Sequence, residues 1–230
     1  MTADVPADSY VVDGALPDPA PDLLPLGTNL LLVGNADTGA ATVAYRLLSL
    51  APRYNESAVL MTTERTVAAH VDAYRSELVA ADTPDDLNHL FVVDGSQSGL
   101  ERDTGPLSAT HVESAASPAD VTGLGVGLTN QLRSIPGDRA RVAVLSLSPI
   151  VDRLGPERTF AFAHVLTSRV RNADLLGLFA VDPGRHQPEH IRIFQSLVDG
   201  SLRFRTDDDG RPKLRGTGCV DALSTWTDID

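Results

Sequence analysis

Cysteine, lysine and long apolar runs are all scarce in this sequence of 230 residues. Cys219 is the only cysteine, so the chain can form neither an internal disulfide nor a zinc site built on cysteine thiolates. No apolar run approaches the about 20 residues that a membrane-spanning helix needs. The first ten residues lack the basic and apolar segments of a signal peptide. We therefore expect a soluble, cytoplasmic protein.

The scarcity of lysine belongs to a strongly skewed charge composition. Lys213 is the only lysine, so 18 of the 19 basic residues are arginine, and 24 of the 31 acidic residues are aspartate. The net charge of −12 argues against binding DNA or an anionic membrane through a broad basic face. A surface rich in aspartate suits a salt-rich cytoplasm, where the repulsion between carboxylates is screened. We expect a halophilic archaeal source; the alternative is an acidic mesophilic protein.

The composition predicts one large domain between two short flanking segments. The hydrophobic fraction of 42% is enough for a sizeable core. Residues 1–25 are acidic and rich in proline, which predicts a loosely ordered arm. The main domain is assigned to residues 26–218, and residues 219–230 form a C-terminal tail.

Apolar segments of strand length alternate with amphipathic segments of helical length. The predicted strands cover residues 29–33, 57–62, 89–93, 141–147 and 175–181. The predicted helices cover residues 42–51, 67–80, 120–134, 157–171 and 189–198. Residues 95–119 are predicted to be a surface loop, and a hairpin is predicted around Asp209-Gly210. This alternation indicates an α/β fold with a mainly parallel sheet, in which ligands bind beyond the carboxyl ends of the strands.

A glycine loop follows the first of these strands. The segment GNADTGAAT has the two glycines of the phosphate-binding pattern G-x-x-x-x-G-K-[ST], between an apolar strand and a helix. Its residues are the candidate nucleotide site: Gly34, Asn35, Ala36, Asp37, Thr38, Gly39, Ala40, Ala41 and Thr42. Alanines occupy the two positions where the pattern requires lysine and a hydroxyl. The loop can still offer backbone N–H groups to an anion at the start of the helix.

The order of several short motifs resembles the KaiC-like branch of the RecA-superfamily ATPases, which includes the archaeal GvpD regulators. The motifs are the Leu24–Gly27 entry to the loop, Thr62-Thr63-Glu64 after the second strand, Asp199-Gly200, and Arg215-Gly216. The resemblance covers roughly residues 22 to 216. It implies a RecA-like P-loop NTPase fold, with a mainly parallel central sheet flanked by helices and a C-terminal β-hairpin.

The resemblance also shows which catalytic groups are missing. The family's phosphate-binding lysine and magnesium-binding hydroxyl correspond to Ala40 and Ala41, and its magnesium-binding aspartate corresponds to Leu145. Asp37 adds a negative charge to the loop, which repels phosphate at short range. Glu64 is the one candidate for a residue that activates water, although a glutamate at a helix start also has a structural explanation. We expect no metal and no cofactor, with ATP as the alternative.

Other polar residues are weaker candidates, and each has a structural explanation. His186 and His190 have the spacing of a metal-binding pair on a helix, but Pro188 interrupts the segment and favours a solvated loop. Ser146 and Ser148 lack the G-x-S-x-G context of a hydrolase nucleophile. The remaining candidates also have structural explanations. His164 is a partly exposed histidine on a helix, and Asp207–Asp209 form a charged hairpin tip. Arg169 and Arg171 lie at the end of a helix, where a positive charge is favourable.

The sequence therefore supports three hypotheses. The first is a non-catalytic pseudo-ATPase that regulates or signals through a protein partner, either a RecA-like homologue or a second copy of itself. The second is a nucleotide or anion sensor, or a weak ATPase, in which arginines near the loop replace the lysine. The third is an accessory protein in DNA transactions, like the non-catalytic recombinase paralogues; the net charge argues against it.

Overall fold

The computed structural model describes residues 7–81, 83, 87–96 and 105–229. The strands of the described residues are β1 (Ser9–Val11), β2 (Leu23–Pro25), β3 (Asn29–Val33), β4 (Ser57–Thr62), β5 (Leu90–Asp94), β6 (Val112–Ser114), β7 (Ala140–Val144), β8 (Leu176–Val181), β9 (Gly200–Thr206), β10 (Pro212–Gly218) and β11 (Thr227–Asp228). The α-helices are α1 (Ala40–Ser49), α2 (Val67–Ala80), α3 (Val121–Ser134), α4 (Ser148–Leu154), α5 (Pro156–Asn172) and α6 (Pro188–Gln195). Short 3₁₀ turns connect several of them.

Nine of the strands form one sheet, in the order β11-β10-β9-β3-β8-β7-β4-β5-β6. The seven strands from β9 to β6 along this order are parallel, and β10 and β11 add antiparallel partners beyond β9. The predicted α/β fold with a mainly parallel sheet and a C-terminal hairpin is confirmed. Of the described residues, none belongs to a helix long and apolar enough to cross a membrane.

Helices cover both faces of the sheet, which explains why its central strands are continuously apolar. Every residue of β3, β4, β7 and β8 is buried. One face packs against α1 and α2, with Leu47 and Val71 in its core. The other face packs against α3, α4, α5 and α6, with Leu124 and Phe162 in its core. The predicted periodicity of α2 is confirmed, since its apolar positions 67, 71, 74 and 78 are buried.

Residues 7–25 form defined structure, contrary to the expectation of a loosely ordered arm. Strands β1 and β2 form an antiparallel hairpin. Tyr10 is fully buried, and its hydroxyl donates to the carbonyl oxygens of Ala140 and Asp174, each at 3.1 Å. These carbonyls lie at the amino ends of β7 and β8. The hairpin therefore packs at the end of the sheet opposite the glycine loop and does not cover it.

A buried ion pair anchors this amino end of the sheet. Nε of Arg141 donates to Glu56 at 2.6 Å, and both side chains are fully buried. The other nitrogens of Arg141 donate to the carbonyl oxygens of Leu47 and Val11, each at 2.8 Å. One guanidinium thus connects α1, the N-terminal hairpin and the sheet. Sequence analysis missed it, because an arginine within an apolar strand normally indicates an exposed edge.

The C-terminal tail continues the sheet rather than leaving it. Strand β11 pairs with β10, and Trp226 stacks against the guanidinium groups of Arg205 and Arg215, 4.2 and 5.0 Å from the ring centroid. The backbone N–H of Ile229 donates to the carbonyl oxygen of Pro212 at 3.0 Å. The boundaries proposed at residues 25 and 218 stay predictions.

Two further elements were not predicted. Strand β7 ends at Val144, three residues before the predicted end, and the short helix α4 begins at Ser148. Strand β6 lies within the segment predicted to be a loop and adds an edge to the sheet beside β5. Residues 97–104 of that predicted loop lie outside the described residues.

Candidate functional site: the glycine-loop cavity

A cavity of about 310 Å³ lies beside the glycine loop, beyond the carboxyl ends of β3, β4, β7 and β8. We call it the glycine-loop cavity. Its lining comprises Gly34, Asn35, Ala36, Ala40, Ala41, Tyr45, Thr62, Thr63, Glu64, Arg65, His70, Leu145, Ser146, Ala180, Val181, Asp182 and Arg185. Its position is the one that sequence analysis predicted for a ligand in a sheet of this type.

The loop is tightly folded around Gly34. A side chain at this position would place its Cβ 2.5 Å from Oγ1 of Thr38 and 2.8 Å from Cβ of Phe204, so only glycine fits. The side-chain oxygen of Asn35 accepts from the backbone N–H of Asp37 at 3.2 Å, and the hydroxyl of Thr38 donates to the carbonyl of Asn35 at 2.8 Å. The loop therefore satisfies part of its own hydrogen-bonding capacity in a 3₁₀ turn.

Gly39 completes the turn into α1. Its φ of +87° lies in the left-handed region that favours glycine. A Cβ here would meet Cδ1 of Ile229 at 3.2 Å, so the C-terminal segment packs against the outer side of the loop. The first N–H groups of α1 have no intrahelical acceptor, and they leave a positive helix end at the cavity.

Alanine side chains form the part of the cavity wall at the start of α1. Ala40 and Ala41 both line the cavity and supply neither a cation nor a hydroxyl. Thr42, the next residue and the nearest hydroxyl in α1, is not part of the lining. Asp37 is exposed and is also outside the lining, so its charge is directed away from the cavity.

The end of β7 contributes an apolar side chain and two fixed backbone groups. Leu145 lines the cavity, and its N–H donates to the carbonyl of Met61 at 3.1 Å. The carbonyl of Ser146 accepts from the hydroxyl of Thr63 at 2.7 Å. A leucine cannot ligate a metal ion. No three histidine, cysteine, aspartate or glutamate side chains converge on a possible metal site within the described ranges.

Glu64 lines the cavity but is held by an arginine. Its carboxylate forms an ion pair with Arg185, whose guanidinium also pairs with Asp152 on α4. Burial tends to lower the pKa of Arg185, but the hydrogen bonds that it donates to Glu64 and Asp152, together with their charges, outweigh burial and raise the pKa. These three side chains therefore form a charged bridge across the mouth of the cavity, between the segment after β4 and the segment after β8.

A chain of hydrogen bonds forms the inner wall. Nε2 of His70 lies 2.7 Å from the hydroxyl of Thr62, which donates its own hydrogen to the carbonyl of Arg65 at 2.9 Å. Nε2 must therefore carry the ring proton, and Nδ1 accepts from the hydroxyl of Tyr45. The phenolic oxygen of Tyr45 has only lone pairs left, so this wall offers the cavity an acceptor.

Burial keeps this chain neutral at ordinary pH. Desolvation, together with a smaller effect of the nearby charge of Arg65, lowers the pKa of His70 from 6.5 to about 4. Burial also raises the pKa of Tyr45 to about 12, against the opposing effect of Arg65. Arg65 lies at the cavity, and no carboxylate of the described residues forms an ion pair with it.

In the structure, the weaker candidates lie away from this site or contact other groups. His190 lies on α6, so the expected loop is wrong for it. His186 lies in the loop before α6, but its side chain is buried, with Nδ1 3.9 Å from Asp152. His164 is exposed and stacks on Phe160. Asp207 caps the hairpin turn and lies 3.6 Å from Lys213. The arginines at the end of α5 contact groups of their own chain: Arg169 contacts Thr129, and Arg171 pairs with Asp199 at 3.0 Å.

Sequence analysis missed Tyr45, His70, Arg65 and Arg185. His70 had a visible signal, because it lies beside Val67, Val71 and Tyr74 on the buried face of α2, where a polar side chain needs partners. Arg185 had no such signal in the sequence, since its partners are 121 and 33 residues away along the chain.

The fold, a mainly parallel α/β sheet with a glycine loop at its carboxyl edge, is shared with a solved KaiC-like protein. The structure is similar to the crystal structure of KaiC-like protein PH0186 from the hyperthermophilic archaeon Pyrococcus horikoshii OT3, with a TM-score of 0.63 and 15% identity over 96% of this chain and 92% of that chain. The chain belongs to the family described as "Family of unknown function (DUF7504)", whose model matches residues 27–204. No curated protein matches the chain.

Proposed function

We propose that this protein is a pseudo-ATPase: a RecA-like domain that binds a protein partner to regulate or signal, and that does not hydrolyse ATP. The observation that carries this proposal is the wall of the glycine-loop cavity, where Ala40, Ala41 and Leu145 stand at the positions that serve phosphate and magnesium in the resembling ATPases. The loss concerns three groups that act on one nucleotide–magnesium complex. A chance substitution at one position would not remove all three groups.

The charges at the cavity support the same proposal. The carboxylate of Glu64, the candidate for water activation, is paired with Arg185. A general base must reach the water that attacks the phosphate, and the ion pair holds this carboxylate away from that role. Charge-assisted contacts are worth about 1.5–3 kcal/mol each, so the loss of the lysine alone removes a large part of ground-state phosphate binding.

A turnover assay tests this proposal. ATP and magnesium are incubated with the purified protein in about 1 M KCl, because we propose a halophilic origin for this acidic surface. We expect release of phosphate at the rate of a protein-free control. Turnover that disappears in Glu64→Gln, but persists in the exposed control Glu189→Gln, would contradict the proposal.

The second candidate function is an anion sensor, and Arg65 is the observation that favours it. This guanidinium lines the cavity without a described ion-pair partner, while Asp37 stays outside it. The free N–H groups at the start of α1 lie at the same cavity. An anion there would be held by one arginine and backbone groups, without magnesium.

Binding of inorganic phosphate and of ATP without magnesium separates the two candidates. A sensor would show saturable binding that Arg65→Ala weakens at least tenfold, with Arg192→Ala on α6 as the exposed control. Identical affinities in Arg65→Ala and wild type would remove this candidate.

A further inference from the structure

A second concave surface lies between α3 and α5, on the face of the sheet opposite α1 and α2. This groove has a volume of about 720 Å³. It is formed by Ala119, Val121, Thr122, Gly125, Val126, Thr129, Leu154, Arg158, Ala161, Phe162, Val165, Leu166 and Arg169. We call it the α3–α5 groove. None of these residues lines the glycine-loop cavity.

The walls of the groove expose apolar side chains that the chain itself does not cover. Val126 on α3 is 54% exposed and Val165 on α5 is 61% exposed. They account for two of the four large exposed hydrophobic side chains among the described residues. Apolar surface gathered in a groove is a mark of binding sites, whereas single exposed side chains need no explanation.

Gly125 shows that the groove is kept open. A Cβ at this position would meet no atom of the described residues within 4 Å, so none of them requires glycine there. Its neighbours in α3 differ: a Cβ at Gly127 would lie 2.9 Å from Cγ1 of Val93, and one at Gly123 would meet its own capping residue, Asp120. Glycine inside a helix destabilises it relative to alanine. An open glycine on a groove wall gives a partner's backbone room to approach.

The charge of the groove is opposite to that of the protein. Arg158 and Arg169 line it and no carboxylate does, although the chain as a whole carries a net charge of −12. Helices α3 and α5 together contain four arginines and one carboxylate, Glu157. No described carboxylate pairs with Arg158. A partner that fits this surface must therefore be acidic as well as apolar.

We infer that the α3–α5 groove binds an acidic amphipathic helix of a protein partner, with its apolar face on Val126 and Val165 and its carboxylates on Arg158 and Arg169. A groove between two helices can hold a third helix, as in other helix-in-groove complexes. This inference goes beyond the proposed function, because the groove is separate from the glycine-loop cavity and can be tested without nucleotide.

Two labelled peptides provide the probe. Both have 21 residues with leucine at heptad positions a and d; one carries glutamate on its remaining positions and the other carries lysine. Fluorescence anisotropy is measured in the lowest KCl concentration at which circular dichroism shows an intact fold, because salt screens exposed charges. We expect the glutamate peptide to bind at least tenfold more tightly than the lysine peptide.

Variants of the groove sharpen the test. Val165→Asp and Gly125→Leu should each weaken binding of the glutamate peptide at least tenfold, while Val79→Asp, at an exposed valine of α2, leaves it unchanged. Arg158→Glu should shift the preference toward the lysine peptide, and Arg192→Glu should not. Circular dichroism and the melting temperature show that each variant is folded.

Three results would overturn the inference. They are equal affinity for the two peptides, no binding of the glutamate peptide up to 1 mM in peptide, on the order of the weakest specific affinities, and equal effects of Val165→Asp and Val79→Asp. Analytical sedimentation of the protein alone tests the other possible occupant of the groove, which is a second copy of this chain. A dimer that Val165→Asp dissociates would show that a second copy, not an acidic helix, fills the groove. Nucleotide turnover is a separate readout, so failure here leaves the proposed function standing.

Discussion

The hydroxyl of Tyr45 donates a hydrogen bond to Nδ1 of His70, and this contact joins α1 to α2 beside the glycine loop. As a result, every hydrogen bond in the series from Tyr45 through His70 and Thr62 to the carbonyl of Arg65 is donated in the same direction. The imidazole is thereby held in one tautomer. This chain of hydrogen bonds lines the glycine-loop cavity together with Ala40 and Ala41. This part of the cavity therefore has a neutral, hydrogen-bonded wall.

The buried imidazole makes stability depend on pH. In the unfolded chain His70 takes up its proton near pH 6.5, but in the folded protein it does so only near pH 4. The unfolded state binds more protons between these values, so the free energy of unfolding falls as the pH falls. The contribution lost is on the order of 3 kcal/mol between pH 7 and 4.

Urea unfolding of wild type and His70→Gln at pH 7, 5.5 and 4 measures this contribution. We expect the variant to lose about 3 kcal/mol less than wild type over this range. His164→Gln removes an exposed histidine and should follow wild type. Parallel curves for wild type and His70→Gln would show that the imidazole is not held neutral.

The buried pair of Glu56 and Arg141 is expected to be essential for stability. Removing one partner leaves the other charge buried without compensation, which costs about 3–5 kcal/mol. Glu56→Gln should therefore lower the free energy of unfolding by that amount. Glu189→Gln breaks an exposed pair with Arg192 at 3.7 Å and should change stability by less than about 1 kcal/mol. A loss below about 1 kcal/mol in Glu56→Gln would contradict the burial.

The glycines of α3 give a pair of opposite predictions. Gly125→Ala should stabilise the protein by about 0.5–1 kcal/mol, because its Cβ meets open space. The melting temperature should then rise by about 1–4 °C. Gly127→Ala should lower it, because the new Cβ would lie 2.9 Å from Val93. Shifts of the same sign in calorimetry would refute this account of the packing of α3.

The substitution Ala40→Lys tests the role that we propose for the missing cation. Ala40→Lys returns a cation to the cavity wall and should strengthen binding of ATP about tenfold or more, since a charge-assisted contact is worth about 1.5–3 kcal/mol. Thr42→Lys adds the same charge to the same helical turn outside the lining and serves as the control. Equal affinities in the two variants would mean that the position of the charge is irrelevant.

Much of the architecture was accessible from the sequence because local patterns specify it. The continuous apolar segments of β3, β4 and β8 predicted buried parallel strands, and Asp120 marked the start of α3, where its carboxylate accepts from the N–H of Gly123 at 2.8 Å. Periodicity alone placed α2 within its observed bounds. These features depend on residues close together in the chain.

The parts that failed depend on distant contacts. The N-terminal hairpin is ordered because Tyr10 reaches carbonyls 130 and 164 residues away, and no local pattern in an acidic, proline-rich segment announces that. The glycine loop itself could be found from its spacing. The pairing of Glu64 with Arg185 and the wall formed by His70 required the fold, since three separate strands bring these groups together.

The measurement that tests the central claim most directly is a calorimetric titration of ATP with magnesium into the purified protein, in about 1 M KCl to keep the acidic fold intact. The account predicts no heat of binding and no shift in the melting temperature, because the cavity offers alanine and leucine where a nucleotide–magnesium complex needs charge and ligands. Saturable binding in the micromolar range would contradict it and would identify the protein as a nucleotide sensor.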